Sequence, residues 1–240
     1  MTTHGDSGMP AAGADRAAEL ERALADVDAV RRRVVNVVGH VLRTPTTTIA
    51  GMAAALQATD DETTRLELIR GIARNAARLE ELLDELLIAS GVNTALPVVD
   101  ETRVALRPAI QRAWESVGGR GPLDIDGPDV DAVVRPPALA KILSTLLDNA
   151  LRYGHGRVGV RLTTIPSGVR IEIESTNDGP TDEELTHAFE LLYRGEHAVM
   201  TAPGLGLGLT VARELARSDG GDVRLERSDG DIVAVVDLPA

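Results

Sequence analysis

The chain has 240 residues, with 25 basic against 37 acidic side chains and a net charge of −12. This balance excludes a non-specific nucleic-acid binder, because such proteins need a basic surface to displace counterions. The absence of cysteine excludes disulfides, thiolate catalysis and cysteine-based zinc sites. No apolar run approaches the roughly 18 residues of a membrane span, and the N-terminus lacks the apolar stretch of a signal peptide. We therefore expect a soluble, cytoplasmic protein with an aliphatic core.

The N-terminal part of the chain predicts a short tail and a long helix. Residues 1–14 are rich in Gly, Ala, Thr and Pro without periodicity, which is typical of a disordered tail. From Asp15 onward, apolar residues recur at three- and four-residue steps, as in an amphipathic helix. Pro45 lacks the N–H of a helical hydrogen bond and should kink this helix. The apolar stripe comprises Leu20, Leu24, Val27, Val30, Val34, Val37, Val38, Ile49, Met52, Ala53 and Leu56.

A polar turn at residues 59–62 separates this helix from a second one. The second helix carries a heptad pattern of Ile69, Ile72, Ala76, Leu79, Leu83 and Leu86. Two long helices with a short connection predict an antiparallel hairpin over residues 15–92. Because one hairpin has too little core of its own, we expect two chains to pair as a homodimeric four-helix bundle.

The helical pattern stops near Gly91, and residues 98–240 combine helices with strands. Pro136-Pro137 predicts the start of a helix that ends at Tyr153-Gly154. Alternating apolar residues predict strands at 158–162, at 169–173 and on both sides of Asp229-Gly230, and a further helix is predicted after the glycines at 204–208. These elements predict an α+β fold in which a helical layer covers a mostly antiparallel sheet.

A histidine lies on the polar side of the first helix. The residues four and seven positions from His40 are Arg33, Asn36, Thr44 and Thr47, so the imidazole is expected to face solvent. An exposed imidazole nitrogen is a nucleophile towards a phosphoryl group, although most surface histidines are inert. A proline inside a helix costs about 3 kcal/mol. Such a cost so close to the histidine favours a functional bend.

A glycine-rich run precedes the last predicted helix. In Gly204-Leu205-Gly206-Leu207-Gly208-Leu209, the glycines free backbone N–H groups to approach anionic oxygens, and the helix N-terminus adds positive potential. The run is not a dinucleotide fingerprint, because no strand leads directly into it, nor a Walker loop, because no lysine follows it. It fits a phosphate-binding loop, and it also fits a flexible loop at a packing contact.

The sequence resembles the sensor histidine kinases at five segments in the order that this family requires: residues 40–45, 147–153, 177–181, 189–195 and 204–209. The family's phosphoacceptor motif reads His-Glu-Leu-Arg-Thr-Pro, and this chain has His-Val-Leu-Arg-Thr-Pro from His40 to Pro45. The resemblance implies that His40 accepts the ATP γ-phosphoryl group and passes it to a response-regulator receiver domain. It implies that Arg43 belongs to the catalytic motif and that Thr44 helps to position water during dephosphorylation. Val41 stands where the family has an acid that removes the imidazole proton.

The resemblance also implies a two-layer ATP-binding domain of the Bergerat type, with ATP and Mg²⁺ as cofactors. Asn149 would ligate Mg²⁺ through its amide oxygen, and Arg152 would approach the phosphates. Asn177 would accept a hydrogen bond from adenine in place of the family's aspartate. Thr145 and Thr181 replace an asparagine and a glycine of the family pattern. The implied nucleotide-binding residues are Asn149, Arg152, Tyr153, Asn177, Asp178, Gly179, Arg194, Gly204, Leu205, Gly206, Leu207, Gly208 and Leu209.

Three hypotheses of function follow. The first is an ATP-dependent histidine kinase core that phosphorylates His40 and then a receiver aspartate. The second is a kinase-impaired phosphotransfer or phosphatase module with a regulatory nucleotide domain, which the valine at position 41 favours. The third is an interaction scaffold without an ATP site. We expect the input to arrive through a separate sensor protein, through the tail, or through a part of the protein outside this chain.

Overall fold

The computed structural model describes residues 38–39, 41–91, 99–155, 157–176, 180–195, 205–228 and 230–240. It confirms a helical region followed by an α/β sandwich. Helix α1 covers 41–58 and continues through Pro45, and helix α2 covers Glu62–Ala89. The predicted helical stretch before Val38 and the disordered tail lie outside the described residues. None of the described helices is long and apolar enough to cross a membrane.

Three residues join the two helices, and side chains fix this turn. Asp61 is the N-cap of α2, and its carboxylate accepts hydrogen bonds from the Thr64 N–H at 2.8 Å and from the Thr64 hydroxyl at 2.6 Å. Nη1 of Arg65 donates to the carbonyl oxygens of Leu56 and Thr59, both at 3.2 Å. The last turn of α1 is therefore tied directly to the first turn of α2.

Helix α2 has two apolar faces rather than the single seam predicted from the heptad pattern. The face towards α1 includes buried Gly71 and Leu82, and the sulfur of Met52 would lie 2.6 Å from a Cβ placed on Gly71. The helices therefore approach closely at this glycine. On another face, Leu66, Ile69 and Leu83 keep 45%, 48% and 51% exposure. The structure thus leaves a stripe of large apolar side chains facing solvent.

The second part of the chain is a two-layer sandwich. Its elements are β1 (Thr102–Ala105), α3 (Leu106–Ser116), β2 (Asp124–Asp126), β3 (Asp131–Val134), α4 (Pro136–Tyr153), β4 (Val158–Ile165), β5 (Gly168–Ser175), α5 (Asp182–His187), α6 (Gly208–Ser218), β6 (Asp222–Ser228) and β7 (Asp231–Leu238). Strands β1 and β3 form a small antiparallel pair. The main sheet has the order β2-β4-β5-β7-β6, in which only β2 and β4 are parallel within the described residues.

The core lies between this sheet and the layer of α3, α4 and α6. Helix α4 buries the predicted apolar face of Leu139, Ile142, Leu143, Leu146 and Ala150. From the sheet, every second residue of β5 is fully buried, including Ile171 and Ile173. This periodicity leaves the intervening residues of each strand on the outer face of the sheet.

Ion pairs cover the outer face of the sheet. Asp237 of β7 accepts hydrogen bonds from Arg170 of β5 at 2.7 and 3.0 Å and from Arg224 of β6 at 2.7 Å. Val235 lies two residues away on the same face and is 1% exposed, because long charged side chains on the neighbouring strands pack over it. Asp237 is therefore the centre of a three-strand ion-pair cluster.

Stability is expected to fall in acid partly through Asp237. The hydrogen bonds from Arg170, followed by those from Arg224, hold the pKa of the Asp237 carboxyl below its ordinary value despite partial burial. The stabilisation is therefore fully present above the unfolded pKa of about 4 and is lost as the pH falls towards the lower folded value. Asp237→Asn should cost roughly 1–2 kcal/mol at neutral pH and flatten the acid limb of stability measured by urea unfolding. An equally steep acid limb in the variant would contradict this assignment.

Candidate nucleotide-binding site and phosphoacceptor helix

A cleft of about 740 Å³ opens beside α4. Its walls are the polar side of α4, the segments 193–195 and 205–209, the ends of β5 and β7, and part of α2. A cleft of this size suits a small organic ligand. The predicted nucleotide-binding residues that the structure describes all line it: Asn149, Arg152, Tyr153, Arg194, Leu205, Gly206, Leu207, Gly208 and Leu209.

Helix α4 presents a row of polar side chains to the cleft. Lys141, Thr145, Asp148, Asn149 and Arg152 recur at helical spacing opposite the buried apolar face, so one wall of the cleft carries all five. Nε of Arg152 lies 2.6 Å from Oδ2 of Asp148. This hydrogen bond raises the pKa of the Arg152 guanidinium, which therefore stays positively charged towards an anionic ligand.

Asn149 fits the part of a metal ligand shared with phosphates. Its side chain is half-buried in the cleft wall and has no hydrogen-bond partner among the described residues. An amide oxygen is a suitable ligand for Mg²⁺, which in nucleotide sites takes few protein ligands and is otherwise held by phosphate oxygens and water. No group of three or more His, Asp or Glu side chains arranged to hold a metal occurs in the described ranges. The chemistry therefore suits a metal brought with a nucleotide.

The glycine run adopts a conformation that requires glycine at one position. Gly206 has φ 71°, and a Cβ there would lie 2.3 Å from the carbonyl oxygen of Tyr193. Leu192, also in the left-handed region at φ 62°, donates its N–H to the Gly206 carbonyl at 3.2 Å. A backbone hydrogen bond thus joins the two residues that adopt the left-handed conformation. Directly after them α6 begins at Gly208, so its first N–H groups, which have no helical partners, lie at the cleft.

Five predicted site residues lie outside the part of the chain that the structure describes: His40, Asn177, Asp178, Gly179 and Gly204. Next to one of these gaps, Thr181 is the N-cap of α5: its hydroxyl accepts from the Glu184 N–H at 3.2 Å, and Glu184 accepts from the Thr181 N–H at 2.8 Å. This reciprocal pair is a capping box, whose Thr-x-x-Glu signature was available in the sequence but not used. Thr181 therefore starts a helix where the family pattern has a glycine.

The described part of the phosphoacceptor motif is helical. Arg43 and Thr44 are exposed, Pro45 is buried, and Val41 is half-buried. Because Pro45 has no N–H, the Val41 carbonyl lacks its usual helical donor. The hydroxyl of Thr48 donates to the Thr44 carbonyl at 2.9 Å. Arg43 and Thr44 thus form part of an exposed polar surface of α1.

Helix α2 contributes to the cleft as well, and sequence reasoning missed this. Arg78, Glu81 and Glu85 line it, facing α4. Since Met52 lies against Gly71 and the two helices are antiparallel with equal rise, residues 41–44 of α1 lie opposite 79–82 of α2. The cleft therefore meets the hairpin at the level of the phosphoacceptor motif. No signal in the sequence could have found these residues, because their role depends on how two separate regions of the chain pack.

Comparison with known proteins agrees with this architecture. The model of the His Kinase A (phospho-acceptor) domain matches residues 30–91, and the model of the histidine kinase-, DNA gyrase B- and HSP90-like ATPase matches residues 134–240. The second match contains α4, the glycine run and the main strands of the cleft. Two domains with distinct chemistry therefore account for most of the chain.

Relatives point to the same family. A bacteriophytochrome of Pseudomonas aeruginosa is 30% identical over 223 residues, which is 90% of this chain and 30% of the relative. The signal transduction histidine-protein kinase AfsQ2 of Streptomyces coelicolor is 27% identical over 245 residues, with 93% and 45% covered. The mycobacterial sensor histidine kinase MprB aligns at a TM-score of 0.53 and 26% identity, over 57% of this chain and 97% of that one. This chain spans less than half the length of these two curated relatives. It belongs to the sensor histidine kinases and carries the phosphoacceptor and ATPase domains of their catalytic core.

Proposed function

We propose that the chain is an ATP-dependent protein histidine kinase core that phosphorylates His40 and then a response-regulator aspartate. The observation that carries this proposal is the cleft beside α4, where an amide, a guanidinium and the start of a helix converge. The proposed domains are a dimerisation and phosphoacceptor hairpin at residues 15–92 and an ATP-binding domain at 98–240. ATP and receiver domains occur in the cytoplasm, so we propose that the core works there.

Each residue of the cleft has a defined part in this scheme. The N–H groups at the start of α6 and the guanidinium of Arg152 bind phosphate oxygens, together with Arg194, which also lines the cleft. Asn149 holds Mg²⁺, which neutralises charge on the phosphates when bound. Asn177, Asp178 and Gly179 are proposed to contact adenine, and Gly204 belongs to the phosphate loop. Positioning and charge neutralisation are the main contributions that a protein makes to phosphoryl transfer.

The transfer step joins the two domains. A ring nitrogen of His40 forms a bond to the γ-phosphorus as the bond to the bridging oxygen breaks, and ADP leaves. The imidazole proton passes to solvent, because Val41 cannot accept it. A receiver aspartate then displaces the histidine nitrogen, which takes up a proton. Thr44, four residues after His40 in the sequence, is proposed to position water when the receiver phosphate is hydrolysed.

The exposed stripe on α2 supports a homodimer. Leu66, Ile69 and Leu83 are large apolar side chains that a single hairpin leaves in water. Pairing two hairpins would bury this stripe in a four-helix bundle, at roughly 25 cal/mol for each Å² of apolar surface removed from water. Two chains per particle in light scattering would support this assignment, and a monomer at all concentrations would contradict it.

Labelling with ATP tests the proposed function. Incubated with Mg²⁺ and γ-labelled ATP, the wild-type chain should acquire an acid-labile, alkali-stable label, as expected of phosphorylated imidazole. His40→Gln should remain unlabelled while binding ATP as the wild type does. Label that persists in His40→Gln, or wild-type protein that binds no ATP, would contradict the proposal. Transfer to a purified receiver domain would then test the second step.

The valine at position 41 favours the phosphatase-type alternative and leads to a prediction. General bases typically contribute about 10²–10⁴-fold to a rate. Val41→Glu restores an acidic side chain next to His40 and is therefore expected to raise the initial rate of self-labelling at least about tenfold. Val41→Gln, which has similar size but no basicity, is the matched control. Nucleotide binding with no labelling in any of the three proteins, together with Thr44-dependent dephosphorylation of a receiver, would support the alternative.

A further inference from the structure

Helix α2 borders two clefts of the ATP-binding domain and contacts that domain through apolar packing and through an ion-pair cluster. The nucleotide cleft of about 740 Å³ lies on one side, and a second cleft of about 700 Å³ lies on the other. Apolar contact is made by the last turns of α2, where Ile88 is buried and Leu86 packs against the same core, and α2 also packs against α6. Between the clefts, charged side chains add an electrostatic link to this packing.

This link is made by Lys141, the only lysine in the chain. Its Nζ lies 2.8 Å from Oε1 of Glu85 and 3.5 Å from Oε1 of Glu81. The side chains of Lys141 and Glu85 are only 26% and 15% exposed, so this pair is screened less than a surface ion pair. We define Lys141, Glu81 and Glu85 as the interdomain latch.

The surroundings of Glu81 show that it stays ionised. Burial alone would raise the pKa of the Glu81 carboxyl, but Arg78, which hydrogen-bonds to it, and Lys141 together hold the pKa below its ordinary value. Nη1 of Arg78 lies 2.5 Å from Oε2 of Glu81. The hairpin thus places two carboxylates in the cleft that the triphosphate of a nucleotide would share.

A triphosphate and these carboxylates compete for the same cation. Lys141, Thr145 and Asn149 follow one another at one-turn intervals on α4, so Lys141 is about 12 Å along the axis from the proposed metal ligand. The long side chain of Lys141 covers part of this distance, so its ammonium group can reach towards the phosphates of a bound nucleotide. Like charges in a cleft of low dielectric repel, so phosphate oxygens would weaken the attraction that holds Glu81 and Glu85 to the domain.

We propose that Lys141 exchanges the carboxylates of Glu81 and Glu85 for nucleotide phosphates, so that nucleotide binding opens the latch and weakens the attachment of the ATP-binding domain to α2. This inference rests on the proposed function, since it requires a nucleotide in the cleft. Among the described residues, the cleft is lined by α2 but not by α1, whereas the proposed acceptor His40 directly precedes the first residue of α1 in the sequence. Opening the latch therefore allows the movement that brings phosphate to the acceptor. By linkage, a latch that opposes nucleotide must lower nucleotide affinity.

Carbodiimide cross-linking tests the latch in the intact wild-type chain. The reagent activates a carboxylate, and a lysine amine in contact with it forms an amide as the urea leaves. Because Lys141 is the only lysine, an amide between its peptide and the peptide holding Glu81 and Glu85 identifies the contact by mass spectrometry. We expect this link within one chain, with its yield reduced at least about threefold by saturating AMPPNP and Mg²⁺. Absence of the link, or an unchanged yield once AMPPNP is bound, would overturn the inference.

Nucleotide affinity provides the second measurement. Glu81→Gln combined with Glu85→Gln keeps Lys141 and removes its competitors, so AMPPNP should bind about threefold or more tightly by calorimetry. Glu67→Gln removes one exposed α2 carboxylate away from the cleft and should leave affinity unchanged. If the wild type binds nucleotide but the double variant binds it no better, the latch is wrong and the proposed function stands. If the wild type binds no nucleotide, the proposed function and the exchange fail together, while the cross-link in nucleotide-free protein still shows whether the ion pair exists.

Discussion

Gly206→Ala is expected to lower nucleotide affinity at least about tenfold and to remove most ATP-dependent labelling. The alanine Cβ would lie 2.3 Å from the Tyr193 carbonyl oxygen, a backbone atom that cannot rotate away. A left-handed conformation at φ 71° costs a non-glycine residue a further 1–2 kcal/mol or so, and about 1.4 kcal/mol is already a factor of ten in affinity. The loop before α6 must therefore shift, and the phosphate-binding N–H groups shift with it. Calorimetry with AMPPNP measures the loss.

Gly220→Ala is the matched control for this prediction. Gly220 also has a positive φ, 78°, but a Cβ there would meet nothing within 4 Å. It lies in the turn after α6, away from the cleft. The substitution should therefore cost about 1 kcal/mol of stability and leave affinity intact. If both alanine variants bound nucleotide as tightly as the wild type, the assignment of the glycine run to phosphate binding would be wrong.

Asp219→Ala is expected to cost about 3 kcal/mol of stability. The Asp219 side chain is fully buried at the end of α6, where it accepts from Nε of Arg135 at 2.5 Å and from the Arg135 N–H at 3.1 Å. Arg135 is the N-cap of α4, so this pair joins the start of one core helix to the end of another. Truncation leaves a poorly solvated guanidinium without its partner. For a chain of this length the melting temperature should fall by about 6–12 °C.

Asp129→Ala tests whether the stability loss in Asp219→Ala is caused by the burial of the ion pair or by the loss of any ion pair. Asp129 makes an equally short contact with Arg107 at 2.5 Å, but its side chain is 85% exposed. Exposed pairs contribute little, so its removal should cost less than about 1 kcal/mol. Circular dichroism melts of both variants measure the difference. Similar losses in both would show that burial does not set the strength of the Arg135–Asp219 pair.

Elements with strong local signals were predictable from the sequence. Helix α4 runs between the two prolines and the glycine that predicted its ends, and strands β4 and β5 follow their apolar alternation. Strand β7 lies where it was predicted, but it is buried on both faces from Ile232 to Val236. Residues 99–135 were harder to interpret. Strand β2 has only three residues, too few for a periodic signal. Helix α3 starts at Leu106 without a capping side chain, and its only local signal is the helical spacing of Leu106, Ile110, Ala113 and Trp114.

The candidate site was predictable where one element supplies the residues. The polar row of α4 and the glycine run line the cleft because helical spacing and backbone freedom are local properties. The contribution of Glu81 and Glu85 depends on packing between distant segments and was not predictable. The heptad pattern predicted for α2 also mixed residues from two faces of the helix. Three- and four-residue steps fit two neighbouring apolar stripes equally well, and only the exposure of the side chains in the structure distinguishes the stripes.

The short connection at the tip of the hairpin limits how the two helices can move. Arg65 bonds across it to Leu56 and Thr59, and Asp61 caps the second helix directly after it. A connection of three residues held by these hydrogen bonds has little conformational freedom, so it cannot absorb a rotation of the first helix. A signal that twists the first helix is therefore expected to turn the second helix as well, and with it the wall of the nucleotide cleft.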